Sequence, residues 1–349
     1  MSNNHDIRVG VVIVTYGDRA PLLRQVVETV IKLEATEYIS KIIIVDNAAS
    51  DQVKAFLDML QDKEDRIQIV RLNQNLGSAG GYKIGLETAI QGMCTHIWLL
   101  DDDNQPDEKA LKHLLDAHKL LINQPQSTNT ALISLREDRQ QMILAAAGID
   151  PDKIYPRKSS FLGFHFLDIY QKLTKRLNKK EVNRNGVNKE YFPEIPFAPY
   201  GGLFFHRKVV KSIGFPKEDF YLYSDDTEYT YRITANGGKI YLIPNSKIVD
   251  LTRSWYLNQN LSNSAAVRWL QGDEDFRIYY AIRNQVYIDS QLWQTNGLTF
   301  NINKWGYLAI LYLLSLSMGK FRRLRLILKA VKDGETGNLG YSYQFSNQP

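Results

Sequence analysis

The chain has 349 residues, 44% hydrophobic and 23% charged, the composition of a globular protein with a large core and not of a disordered one. Its single cysteine, Cys94, excludes an intramolecular disulfide and a cysteine-rich zinc site. The net charge of +5 is modest but uneven: residues 319–332 carry six Lys or Arg and no acid, and 172–189 are also rich in base, so a nucleic acid is not the expected partner.

Residues 1–9 are polar, without an apolar stretch ahead of a small-residue cleavage site, which predicts a cytoplasmic protein. Residues 8–15, 41–45, 67–72 and 96–100 read as buried strands. Between the first two, Leu22, Leu23, Val26, Val27, Val30 and Ile31 recur at helical spacing after Pro21. Further helices are expected over 79–91 and from Pro106, and this alternation predicts an α/β fold with a largely parallel sheet. Short strands are expected at 131–135 and 142–147, and 151–190 reads as an insertion or mobile loop. Then come strands at 201–206 and 220–223, a helix over 225–235 ended by Asn236-Gly237-Gly238, and a strand at 239–243. Residues 273–288 and 304–331 read as helices of a tail. The expected domains are 1–260, the α/β part, and 261–349, a helical region.

Trp98-Leu99-Leu100-Asp101-Asp102-Asp103-Asn104 places three acids directly after a hydrophobic strand, where open α/β sheets bind ligands. Alternation along a strand lets Asp101 and Asp103 converge while Asp102 points elsewhere. Two convergent carboxylates suit a hard cation, Mg2+ or Mn2+, clamped to a diphosphate; a solvated acidic loop capping the next helix is the alternative. In 220–232, paired acids Asp225 and Asp226 open a helix on which Glu228 and Arg232 are four apart and able to pair. A carboxylate there is placed to act as general base, worth about 10²–10⁴-fold in rate, or merely decorates the helix start.

Asn73–Tyr82 forms a glycine-rich turn between a strand and a helix. It lacks the phosphate-loop and dinucleotide spacings, so its glycines serve either close approach of a ligand or tight strand–helix packing. Strand ends Val14-Thr15-Tyr16 and Val45-Asp46-Asn47 bring polar groups to the same sheet edge, where an Asp can accept from a base and an aromatic ring can stack on it; Asp46 and Ser50 capping helices is the alternative.

Together, Thr15-Tyr16, Val45-Asp46-Asn47, Asn75-Leu76-Gly77 with Ala79-Gly80-Gly81, Asp101–Asp103 and Asp225-Asp226-Thr227-Glu228-Tyr229 resemble the family 2 inverting glycosyltransferases, most of all their galactofuranosyl- and rhamnosyltransferase-like branch. The resemblance implies a GT-A fold, an open mixed sheet flanked by helices, with a carboxyl-terminal helical extension. It implies that Thr15, Tyr16, Asp46, Asn75, Gly77, Gly80, Gly81 and Asp102 bind the nucleotide-sugar and that Asp101 and Asp103 hold a divalent cation, Mn2+ or Mg2+. Asp226 is then the base, with Asp225 the alternative assignment. Many relatives carry a histidine ligand where this chain, without histidine beyond His206, has Asp250, which would be an oxygen ligand or a surface acid. Tyr200, Gly201 and Gly202 resemble the acceptor-side segment.

The implied partners are a UDP- or dTDP-linked sugar and a glycan or lipid-linked glycan acceptor. A non-catalytic glycan-assembly protein and a sugar-phosphate nucleotidyltransferase are the rival readings; the latter calls for a basic glycine-rich loop where this chain has Thr15-Tyr16-Gly17-Asp18-Arg19. Residues 305–318, an apolar run of 14, fall short of the roughly 20 needed to span a bilayer. With Lys320, Arg322, Arg323 and Arg325 they suit an anionic membrane surface, or else a helix packed on the core or on another subunit in a homo-oligomer.

 The acceptor that the resemblance implies is a hydroxyl of a growing, lipid-linked glycan.

Overall fold

The computed structural model describes residues 7–121, 129–169, 191–252, 264–272 and 274–342. Two compact units make up the chain: Met1–Ile154, Arg184–Glu218 and Asp226–Arg253 form the first, and Tyr155–Asn183, Asp219–Asp225 and Ser254–Pro349 the second.

The first unit is built on an eight-stranded sheet of order β3-β2-β1-β4-β7-β6-β8-β5. Its strands are β1 (Val9–Thr15), β2 (Ile39–Asn47), β3 (Ile67–Leu72), β4 (His96–Asp101), β5 (Asn104–Pro106), β6 (Thr130–Arg136), β7 (Leu203–His206) and β8 (Lys239–Asp250). β1 pairs in parallel with β2 and β4, whereas β7 runs antiparallel to β4 and β6, so the sheet is mixed. β1 is buried along its whole length, as a Val/Ile-rich strand without polar alternation requires when both faces are covered. The covering helices include α1 (Ala20–Ile31), which buries Leu23, Val26, Val27 and Val30, and α2 (Asp51–Gln61), which buries Val53, Phe56, Leu57 and Leu60. Ser50 caps α2, its Oγ accepting the Val53 N–H at 3.4 Å. Next come α3 (Gly77–Gln91), α4 (Ala110–Leu121), α5 (Gln140–Ala146), α6 (Lys208–Ile213) and α7 (Asp225–Ala235), whose first residue belongs to the second unit.

Four local expectations are corrected. The helix expected from Pro106 starts at Ala110, because Asn104–Pro106 pairs with β8 as the edge strand, a position that tolerates a proline. Residues 142–147 are not a strand but most of α5: Met142, Ala145 and Ala146 are buried at helical spacing, and the alanines favour a helix. Residues 220–223 are not a strand either. Tyr221, Tyr223 and Ser224 have φ of 62°, 67° and 58°, and the Asn284 side-chain amide donates to the carbonyls of Phe220, Leu222 and Tyr223 at 2.8, 2.9 and 2.8 Å, where a neighbouring strand would otherwise do so. The single helix expected over 304–331 is two, α10 (Gly297–Met318) and α11 (Phe321–Glu335), separated at Gly319, whose φ of 65° ends the first.

In the second unit, α8 (Ala265–Gln271), α9 (Asp275–Tyr287), α10 and α11 enclose a core containing Tyr279, Tyr280, Phe300, Leu311 and Ile327. Phe161 and Leu162 join that core. Buried polar groups fix this segment: Asn303 donates to the Ser159 carbonyl at 2.8 Å and accepts the Phe166 N–H at 2.9 Å, and Asp289 accepts the Leu162 N–H at 2.7 Å. Residues 170–190 of the expected insertion, and Asp273 of the expected tail helix, lie outside the described residues.

Candidate active site

From β1 the sheet order grows in both directions, so the carboxyl ends of β1 and β4 flank the point where strand order reverses, the usual ligand crevice of an open α/β sheet. Pairing in register brings Thr15 beside Asp46, Val14 beside Asp101, and Asn104 beside Asp250. The structure thus gathers at one edge the residues that the sequence scatters over the first unit.

The strand ends at Asp101, so the expected alternation does not continue to Asp103: Asp102 and Asp103 share one partner, Arg19. Asp102 is buried; its Oδ2 accepts the Thr15 hydroxyl at 2.8 Å and its Oδ1 accepts Arg19 Nε at 2.8 Å. Arg19 Nη2 donates to Asp103 Oδ2 at 2.7 Å, an oxygen that also accepts the Thr252 hydroxyl. Asp101 Oδ1 accepts the Tyr82 hydroxyl at 2.7 Å. Asn104, fully buried, ties the group together: its Oδ1 accepts the Asp101 N–H at 3.1 Å, and its Nδ2 donates to Asp250 Oδ1 at 2.9 Å and Asp103 Oδ1 at 3.4 Å. Arg19 and Asn104 are site residues that the sequence alone does not single out: adjacency to Asp103 is the one signal for Asn104, and Arg19 has none beyond its place in the first strand–helix turn.

Asp250 is not a surface acid. Its side chain is 6% exposed and its Oδ2 pairs with Arg136 and, at 3.4 Å, with Arg139. Arg136 Nη1 also stands 3.9 Å from Asp101 Oδ2. Desolvation pushes the Asp101 carboxyl up to about 6 against the pull of Arg136, and pushes Asp102 up to about 7 against Arg19. Asp250 is likewise raised by burial, with Arg136 opposing.

Acids outnumber bases around this edge, and oxygen donors are what a hard divalent cation takes. Asp101 and Asp103 are oxygen donors of that kind, and among the described residues no group of three or more His, Cys, Asp or Glu stands together as a metal cage. Asp250 is occupied by two guanidiniums and supports the pair through Asn104.

Asp226 lies in the first unit near the start of α7, its Oδ1 accepting the Thr227 N–H at 2.6 Å. Burial raises its pKa, opposed chiefly by Thr227 and also by Arg139 and Arg136, so it shares an electrostatic environment with the acid cluster. Asp225, buried, closes the second unit's segment Asp219–Asp225. Glu228 and Arg232 pair at 3.1 Å, as their spacing predicts. The Tyr200 ring is buried against Tyr82, centroids 4.2 Å apart. Gly201 lies against Asp101 and Asn104, and Gly202, with φ 97°, donates its N–H to the Leu99 carbonyl at 2.8 Å.

Of the residues expected to meet a nucleotide, Tyr16 is exposed with the Arg19 guanidinium 5.2 Å from its ring centroid, whereas Thr15 and Asp46 are buried. Asp46 accepts the Ala49 N–H at 2.8 Å. Asn75 accepts the Gly77 N–H at 2.8 Å and the Asn47 amide at 3.1 Å, holding the turn. The missing side chains of Gly80 and Gly81 face Leu76 and Val14, where a Cβ would come within 2.5 and 2.6 Å, so close packing accounts for both glycines.

Residues 10–120 match the model of Glycosyl transferase family 2. Galactofuranosyltransferase GlfT1 of Mycolicibacterium smegmatis is 24% identical over 200 residues, 56% of this chain and 56% of that protein, so the match spans about half the length of the curated relative. The crystal structure of GalNAc-T7 with UDP, GalNAc and Mn2+ superposes with a TM-score of 0.54 at 15% identity, covering 90% of this chain and 58% of that one. The mannosyltransferase PcManGT from Pyrobaculum calidifontis in complex with GDP-Man and Mn2+ gives 0.48 at 13% identity, covering 95% and 88%. The mixed open sheet flanked by helices is the expected GT-A fold.

Proposed function

We propose, from the match of residues 10–120 to the model of Glycosyl transferase family 2, that the protein is a metal-dependent inverting glycosyltransferase. It transfers a sugar from a nucleotide diphosphate to a hydroxyl of a growing glycan, in the cytoplasm. The observation that carries the reading is the acid cluster at the β1/β4 switch point, where one guanidinium clamps Asp102 and Asp103 and Asn104 joins Asp101, Asp103 and Asp250.

In this mechanism Tyr16 stacks on the nucleobase, and Asp102, held by Thr15 and Arg19, faces the nucleoside. Asp101 and Asp103 hold the divalent cation, with Asn104 and Asp250 fixing their geometry. When bound, that ion stabilises charge developing on the leaving diphosphate. Asp226 takes the acceptor proton as the hydroxyl attacks the anomeric carbon opposite the diphosphate; burial, by raising its pKa, makes it the stronger base. Attack from that side inverts the anomeric centre. Tyr200, Gly201 and Gly202 border the acceptor.

Galactofuranose from UDP and rhamnose from dTDP are the proposed donors, the first supported by the likeness to a galactofuranosyltransferase, and a lipid-linked glycan is the proposed acceptor. Calorimetric titration with UDP and dTDP, each with and without Mn2+, tests the reading. Metal-dependent binding of one nucleotide, lost in Asp101→Ala/Asp103→Ala, is expected. Absence of binding by both nucleotides would leave the nucleotide-sugar reading without a physical basis.

A further inference from the structure

α10 is apolar where a surface helix should be polar. Phe300, Asn303, Tyr307, Leu311 and Ser315 turn one side of it into the second unit. The opposite side presents Leu298, Ile302, Trp305, Tyr312, Leu313 and Leu316, all exposed, with Leu298 at 74%, Trp305 at 65% and Leu313 at 64%. The one charged residue of α10, Lys304, pairs with Glu335 at 2.7 Å. A contiguous exposed apolar face of this kind marks an interaction surface.

The next helix says what the surface meets. On α11, Phe321, Arg325, Leu328 and Lys332 fall at i, i+4, i+7 and i+11, on one stripe, and all are exposed. Arg322 and Lys329 flank it, and no acid is among the exposed residues of α11. Basic side chains interleaved with apolar ones, beside a helix carrying Trp and Tyr outward, match a layer that is anionic at its surface and apolar beneath.

We propose that α10 and α11 dock the protein on an anionic lipid surface. α10, about 33 Å long, lies in the plane of the interface with Trp305 and Leu313 in the acyl boundary, while Arg325 and Lys332 meet lipid phosphates. No helix among the described residues is long and apolar enough to cross a membrane, so the helix lies on the surface. A second copy is the weaker occupant: the bases of α11 would need acids to meet, and no acid is among the exposed residues of α10 or α11. The proposal goes beyond the transferase reading and does not depend on it.

The test is flotation of the full chain with vesicles of phosphatidylcholine alone or mixed equally with phosphatidylglycerol. Binding is expected to the mixed vesicles only and to weaken with salt. Arg325→Glu/Lys332→Glu should weaken it by roughly tenfold or more, since each base near an anionic surface contributes about fivefold. Trp305→Glu/Leu313→Glu, at exposed positions that leave folding intact by circular dichroism, should abolish it. The proposal is overturned if the wild type stays off both vesicles, if neither double variant weakens binding, or if Trp305→Glu/Leu313→Glu instead converts a dimer into a monomer. No donor is needed, so failure here leaves the transferase reading standing, and failure to bind nucleotide leaves this one standing.

Discussion

A Cβ on Gly201 would lie 1.8 Å from Asn104 Oδ1 and 2.8 Å from Asp101 Oδ2. Glycine on the segment that resembles the acceptor side and the asparagine behind the acid triplet therefore compete for one space. Gly201→Ala must push Asn104 off the Asp101 N–H or move Asp101 itself. Displacements of this size at a reacting centre cost about 10²-fold in rate. Transfer should fall by that order and Mn2+-dependent nucleotide binding should weaken, with the Asn104→Ala/Gly201→Ala double variant weakening it less than the sum of the single changes. Strict additivity in calorimetry would show that the two residues do not share the space.

Asp226→Asn should lower transfer by about 10²–10⁴-fold while leaving nucleotide affinity near wild type, because it removes a proton acceptor and touches no donor ligand. Release of nucleotide diphosphate in the presence of acceptor is the measurement. Full activity of Asp226→Asn together with an inactive Asp225→Asn would move the base to the neighbouring residue.

Gly81→Ala separates packing from ligand contact in the glycine-rich turn. Its Cβ would meet Val14 Cγ1 at 2.6 Å, an overpacking expected to cost about 1–3 kcal/mol. Thermal unfolding should shift down while the nucleotide affinity of the folded protein stays the same. A large loss of affinity at unchanged stability would restore the ligand reading for this glycine.

Asp289 gives a pH prediction away from the acid cluster. Buried, and stabilised as the anion only by Gln285 and the Leu162 N–H, its carboxyl is pushed up to about 7. With a folded pKa above the unfolded one, its contribution is fully present below about 4 and is lost as pH rises through about 7. Asp289→Asn keeps an acceptor for Leu162 and removes the titration. Denaturant unfolding should show the variant gaining on the wild type by roughly 4 kcal/mol between pH 4 and 8; parallel stability curves would contradict this.

Much of this could be read along the chain because the interactions concerned are local. Strand runs such as 8–15 and 67–72, the helix after Pro21 and the Glu228–Arg232 pair follow from periodicity and spacing, which a few neighbouring residues determine. The acid triplet stood out because three carboxylates after an apolar strand are a local pattern.

Tertiary structure alone decided the rest, since it depends on groups distant in sequence. Arg19 clamps Asp102 and Asp103 from 83 and 84 residues away, and Asn104 reaches Asp250 across 146. Residues 220–223 look like a strand until Asn284 supplies donors from another element. Which side of α10 is buried was equally illegible: apolar residues occupy both, and only packing against its neighbours leaves Trp305 outside and Tyr307 within. Composition and period specify that apolar surface must be covered, while the fold decides by what.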